Sequence, residues 1–91
     1  MVYISPGEQQ EESVSAGPGQ VLALHALAYP TGHLSVSIQQ NGVELSKHSF
    51  GNIPGDSPAW RLTIPEGEYL LVASFESADP TAYGEFEAAV E

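Results

Sequence analysis

Three histidines, His25, His33 and His48, are the side chains of this sequence best suited to bind a metal or to transfer protons. Their spacing matches neither H-x-H nor H-E-x-x-H, and the chain has no cysteine to join them as a ligand. His25 lies within an apolar segment, so we interpret it as a core or half-buried histidine with a hydrogen bond. Catalysis would require His25, His48 and a carboxylate to converge in one pocket.

The serines and the paired carboxylates give no signature of a reaction centre. No G-x-S-x-G elbow is present, so nothing indicates an activated serine. Glu66 and Glu68 are two residues apart, as are Glu85 and Glu87. On a strand this spacing places both carboxylates on one face, which is typical of a solvated stripe. We therefore predict that the protein is not an enzyme.

Calcium binding is the remaining chemical possibility, because Ca²⁺ takes about six to eight oxygen ligands that are often gathered by loops. The candidate ligands are Asn52 and Asp56 in one loop, and Glu76 and Asp79 in another. They would form a site only if the two loops meet at one end of the domain. No EF-hand spacing is present. We therefore predict no resident cofactor and keep calcium for the alternative function below.

The charge balance restricts the class of partner. Twelve acidic residues oppose only Lys47 and Arg61, which gives a formal net charge of −10. Nucleic acid and anionic membranes are therefore poor partners, because both are bound by clustered basic residues. No apolar run approaches the ~20 residues of a membrane span, and the N-terminus lacks the pattern of a signal peptide. We expect a soluble protein that is synthesised in the cytoplasm.

The elements that position these residues are strands, most clearly in the last third of the chain. Apolar and polar residues alternate from Trp60 to Ile64 and from Gly84 to Val90. The most hydrophobic run, Glu68 to Phe75, has apolar residues on both faces, as in a central strand that is covered on both sides. A corner at residues 65–67, Pro-Glu-Gly, separates the first two segments. We predict three consecutive antiparallel strands in one sheet.

Short strands separated by turns are also predicted in the first two thirds. Residues 2–4 and 13–15 are short candidates, and residues 20–29 are predicted to form a central strand. Asn41-Gly42 predicts a two-residue hairpin that places Ile38 opposite Leu45. Phe50 would then lie on the opposite face of the strand from Leu45. This predicts either a bulge within residues 46–49 or packing of Phe50 on another face. The whole chain, residues 1–91, is predicted to be one all-β domain, a small antiparallel β-sandwich or jelly-roll-like fold of six to seven strands.

Residues 65–76, together with Gly84-Glu85-Phe86-Glu87 and Val90, resemble the closing hairpin of the C2-like β-sandwich domain of calpains. The shared pattern is a P-x-G-x-Y-hydrophobic strand, a polar loop and a G-E-F strand. The segment is similar in the same way to bacterial pre-peptidase C-terminal domains. The resemblance implies a β-sandwich and, as a function, an accessory module that binds calcium or an adjacent enzyme domain. No functional loop of these families maps onto this chain.

The leading interpretation is a non-enzymatic structural or assembly protein that binds protein surfaces. Virion accessory proteins, of the decoration, cement or minor head and tail type, are compact β modules comparable at the level of fold. The expected partners are proteins, either a larger shell or further copies of the chain. Candidate interface anchors are Tyr3, Ile53, Trp60 and Tyr83. The alternative is the C2-like or pre-peptidase-like accessory module.

Overall fold

A computed structural model of the chain describes residues 2–51 and 60–91. Within those ranges the chain forms eight β-strands and no helix. The strands are β1 (Val2–Ile4), β2 (Gln9–Ala16), β3 (Val21–Tyr29), β4 (His33–Gln40), β5 (Val43–Phe50), β6 (Trp60–Thr63), β7 (Gly67–Glu76) and β8 (Tyr83–Val90). The all-β prediction is confirmed, but with eight strands rather than six to seven.

The strands form two four-stranded antiparallel sheets that pack face to face. The first sheet has the order β1-β8-β3-β6 and the second has the order β2-β7-β4-β5. Odd- and even-numbered strands of the first half lie in different sheets, and so do those of the second half. These two strand orders are those of a jelly roll, a sandwich built from two Greek keys. No helix in the described part of the chain is long and apolar enough to cross a membrane.

The core lies between the sheets and is built by alternation along each strand. In β7, Tyr69, Leu71, Ala73 and Phe75 are buried, while the intervening residues face outward. The central-strand prediction for residues 20–29 is confirmed, because β3 lies between β8 and β6. The largest fully buried side chains are Phe75, Phe86, Ile4, Leu22, Leu24, Leu34, Ile38, Leu71 and Val36.

The last three strands do not form one sheet, so that prediction was wrong. β6 and β8 belong to the first sheet, whereas β7 lies at the centre of the second. The corner at residues 65–67 therefore carries the chain across the sandwich. The Tyr69 hydroxyl donates a 2.6 Å hydrogen bond to the Pro65 carbonyl, an arrangement resembling the tyrosine corner of other β-sandwiches. This bond fixes the crossing from β6 to β7.

The β4–β5 hairpin has the predicted turn but a different register. Asn41 and Gly42 have φ values of 53° and 78°, as a type I′ turn requires. Ile38 pairs with Ser46 and not with Leu45, because the ladder is irregular after Ile38. Leu45 is the extra residue and is exposed. The irregularity lies before the predicted position, and it lets Phe50 pair with Leu34 on the inner face.

The edge strand β2 is longer than the sequence indicated. It runs over eight residues, Gln9–Ala16, and pairs along its whole length with β7. Its sequence is mostly polar on both faces and so lacks the apolar–polar alternation that predicts a strand, because an edge strand buries little of its surface. Glu11 and Glu12 place charge on this edge, which discourages pairing with the edge of another sheet.

Candidate protein-binding surface

Three exposed tyrosines lie together on the outer face of the first sheet. The exposed fractions of Tyr3, Tyr29 and Tyr83 are 63%, 54% and 37%. The ring centroids of Tyr3 and Tyr83 are 5.9 Å apart, and those of Tyr29 and Tyr83 are 5.8 Å apart. We call these tyrosines, together with Leu27 and Glu85, the tyrosine patch.

The strand register brings these five residues onto one surface. Tyr29 on β3 lies directly opposite Tyr83 on β8. In the adjacent row, Glu85 on β8 lies between Tyr3 on β1 and Leu27 on β3. Residues two apart on a strand share a face, so both rows point away from the core. The patch therefore spans three hydrogen-bonded strands.

The tyrosine rings contact one another at an angle and form no flat stack. The ring planes of Tyr3 and Tyr83 meet at 60°, and those of Tyr29 and Tyr83 meet at 46°. The edge contact of Tyr3 with Tyr83 is favoured by the ring quadrupole, and such a pair is worth about 0.5–1.5 kcal/mol beyond area burial. Mutual contact therefore limits the rings' freedom while their outer surfaces stay open to solvent.

The patch carries negative charge and no cation among the described residues. Glu85 is half-buried within it, and exposed Glu87 lies one row further along β8. The Glu85 carboxylate makes no hydrogen bond or ion pair with another described residue. On β6, Arg61 lies opposite Ala23 and pairs with Glu91 at 3.2 Å. Ala23 is four residues from Leu27 along β3, so one outward-facing row, that of His25 and Glu87, separates the row of Arg61 from the patch.

Two of the four predicted interface anchors meet in the patch. Tyr3 and Tyr83 contact each other there, whereas Ile53 lies outside the described residues. Trp60 is half-buried, packs against the core and stacks on His48 with ring centroids 4.5 Å apart. Tyr29 was missed by the sequence reasoning, although its position at the end of the apolar segment, directly before the turn at Pro30, was a usable signal.

The histidines do not converge, and the prediction for His25 was wrong. His25 is exposed on the outer face of the first sheet, opposite Glu87. Its neighbours in the sequence, Leu24 and Ala26, face inward instead. His48 belongs to the second sheet and contacts Phe50 and Trp60. The pocket of two histidines and a carboxylate that catalysis would have required is therefore not formed by these residues.

The calcium candidates are described only in part. Asn52 and Asp56 lie outside the described residues, and Glu76 is exposed at the end of β7. Asp79 Oδ1 accepts hydrogen bonds from the Thr81 hydroxyl at 2.7 Å and the Thr81 amide at 2.8 Å. These bonds, that of the side chain first, hold the pKa of the Asp79 carboxyl below its ordinary value. Within residues 2–51 and 60–91, no three histidine or acidic side chains are grouped closely enough to hold a metal ion.

No protein-family model matches the chain, and no curated protein matches its sequence.

Proposed function

We propose that the protein is a non-enzymatic β-sandwich that binds the surfaces of other proteins through the tyrosine patch. The observation that supports this proposal is the mutual contact of three exposed tyrosine rings on an open sheet face. Tyrosine is enriched in protein–protein interfaces and among the residues that dominate their binding energy.

The chemistry of the side chains supports a protein partner. Each tyrosine combines an apolar ring with a hydroxyl, and none of these three hydroxyls makes a hydrogen bond to another described residue. A partner can therefore bury the rings and also satisfy the hydroxyls. Tyrosine has few rotatable bonds, so ordering it in a complex costs little conformational entropy.

More specifically, we propose that the partner is a larger protein shell or assembly, such as a virion. The eight-stranded jelly roll recurs in viral capsid domains and in lectins, and fold alone does not assign a function. The support is therefore an analogy of architecture. The acidic surface would complement basic residues on such a shell.

A photo-crosslinking amino acid placed at a single position tests the proposal in cells that produce the protein. Replacing Tyr29 should yield discrete protein adducts that mass spectrometry can identify. Replacing Leu45, which is 52% exposed on the other sheet, is the matched control and should yield few. Adducts from position 29 should also decrease when Tyr3→Ala and Tyr83→Ala are added.

Equal adducts from positions 29 and 45, or none from either, would argue against binding through the patch. Thermal melting with calcium and with magnesium distinguishes the alternative accessory module. A rise in midpoint with calcium alone would favour that module, because a ligand bound only to the folded state stabilises it.

A further inference from the structure

We propose that the tyrosine patch recognises arginine side chains of its partner, with the guanidinium seated against the tyrosine rings and paired with Glu85. This inference rests on the proposed function and names the chemistry of the partner. It follows from the placement of a carboxylate without a counterion among aromatic rings.

Glu85 is the residue that points to a cation. It is half-buried between Tyr3 and Leu27 in the strand register, and Tyr83 lies two residues before it on the same face. A carboxylate that is partly removed from water gains from a charged hydrogen-bond donor. The carboxylate has no hydrogen bond or ion pair within the described residues, so a cationic group of a partner can pair with it.

The rings favour the same ligand. A cation that lies over a tyrosine face within about 6 Å of its centroid is attracted by the ring quadrupole. Tyr3 is opposite Glu85 in the strand register and Tyr83 precedes it on the same face, and the rings of both tyrosines are in contact and partly open to solvent. A guanidinium group can lie flat on one ring while it donates two hydrogen bonds to a carboxylate. The ammonium group of lysine cannot do both with the same geometry.

The charge of the chain disfavours anionic ligands and favours a cation over a neutral ligand. Twelve acidic residues oppose two basic ones, and Glu87 adds a further negative charge next to the patch. Phosphate groups of nucleic acids or lipids would therefore be repelled. A neutral saccharide could stack on the tyrosines but would leave the Glu85 carboxylate without a counterion.

Fluorescence anisotropy with three labelled peptides of equal length tests the inference on the full chain. The peptides alternate glycine with arginine, with lysine or with citrulline, which is the neutral isostere of arginine. We expect the arginine peptide to bind roughly three- to tenfold more tightly than the lysine peptide, since cation–π contact favours the guanidinium. The citrulline peptide should bind weakest.

Matched variants separate the patch from diffuse attraction by the acidic surface. Glu85→Gln should weaken binding of the arginine peptide by roughly fivefold, as expected for a partly exposed charge pair. Glu11→Gln removes the same charge from exposed Glu11 on the other sheet and should change binding less than about twofold. Tyr83→Phe keeps the ring and should retain binding, whereas Tyr83→Leu should weaken it by roughly threefold.

Equal losses from Glu85→Gln and Glu11→Gln, or equal affinities for arginine and lysine peptides, would overturn the inference. Binding of a neutral oligosaccharide that Tyr83→Leu abolishes would also overturn it and would indicate a lectin-like surface. If the patch crosslinks a protein in cells and the arginine peptide does not bind, the partner chemistry is wrong and the proposed function stands. If neither experiment detects binding at the patch, both proposals fail.

Discussion

His48 and Trp60 stack face to face across the edge of the sandwich, with ring planes 10° apart and centroids 4.5 Å apart. His48 belongs to β5 in the second sheet and Trp60 to β6 in the first. The stack therefore links two strands that share no ladder. Phe50 closes the cluster, since its ring meets that of His48 edge-on with centroids 4.6 Å apart.

His48→Ala should lower the free energy of unfolding by about 1 kcal/mol, because it removes two aromatic contacts of a half-buried ring. It should also shift Trp60 emission to longer wavelength by admitting water to the indole. Chemical denaturation followed by fluorescence measures both effects. His33→Ala, which alters an exposed histidine on the same sheet, is the control and should change neither. Equal losses from the two variants would contradict a specific role for the stack.

Tyr69→Phe should destabilise the fold by about 1 kcal/mol, since it removes the hydroxyl that bonds to the Pro65 carbonyl. Tyr69 is only 3% exposed, so water cannot fully replace the bond. Tyr29→Phe removes an exposed hydroxyl and should have almost no effect on stability. Denaturant midpoints of the two variants provide the comparison. A Tyr69→Phe protein as stable as Tyr29→Phe would show that the bond does not secure the corner.

Gly32→Ala should be among the most damaging single changes in the chain. Gly32 has a φ of 115°, and an added Cβ would lie 2.4 Å from the Glu76 carbonyl oxygen and 2.8 Å from Ser77 Cβ. Backbone strain of about 1–2 kcal/mol combines with overpacking of about 1–3 kcal/mol. Gly7 also has a positive φ, 83°, but an added Cβ there would meet nothing within 4 Å, so Gly7→Ala should show backbone strain without overpacking. Thermal melting that ranks the two variants equally would refute the steric contribution.

Thr81→Val should raise the pKa of Asp79 towards the ordinary value of 3.8, because it removes the side-chain hydrogen bond that favours the carboxylate. A carboxyl whose pKa is lowered by folding contributes stability above its unfolded pKa, and the contribution is lost as the pH falls through the folded pKa. The acid-side stability that Asp79 provides should therefore be smaller in the variant. Carboxyl carbon shifts in an NMR titration measure the pKa directly. Thr81→Ser keeps a hydroxyl and should keep the lowered pKa.

Local patterning predicted the strands but not their assignment to sheets. Alternation in β7 identified Tyr69, Leu71 and Phe75 as one buried face, and the structure buries all three. The same alternation would arise in either sheet, because each sheet turns one face to the shared core. Only the tertiary path distinguishes a hairpin from a crossing at residues 65–67. The assignment of β6, β7 and β8 to one sheet was wrong for this reason.

The sequence predicted two residues of the candidate site, but not that they lie together. Tyr3 and Tyr83 were identified as anchors from residue type, but they are eighty residues apart in the sequence. Their contact depends on the pairing of β1 with β8, and that of Tyr29 with Tyr83 depends on the register of β3 against β8. Neither pairing follows from local pattern. Glu85 was interpreted as part of a solvated stripe, because its neighbours Tyr3 and Leu27 come from other strands.

The order of the strands has a consequence for how the protein is made. Every one of the six pairings among the described strands joins one of β1–β4 to one of β5–β8. A nascent chain that has emerged only as far as β4 therefore contains no two strands that are partners in the native fold. The first native ladder, that of β4 with β5, can close only once β5 has been made, and every other ladder needs β6, β7 or β8. If the two halves were expressed separately, each sheet would have to form from strands that alternate between the two fragments. Neither fragment could form a native sheet by itself.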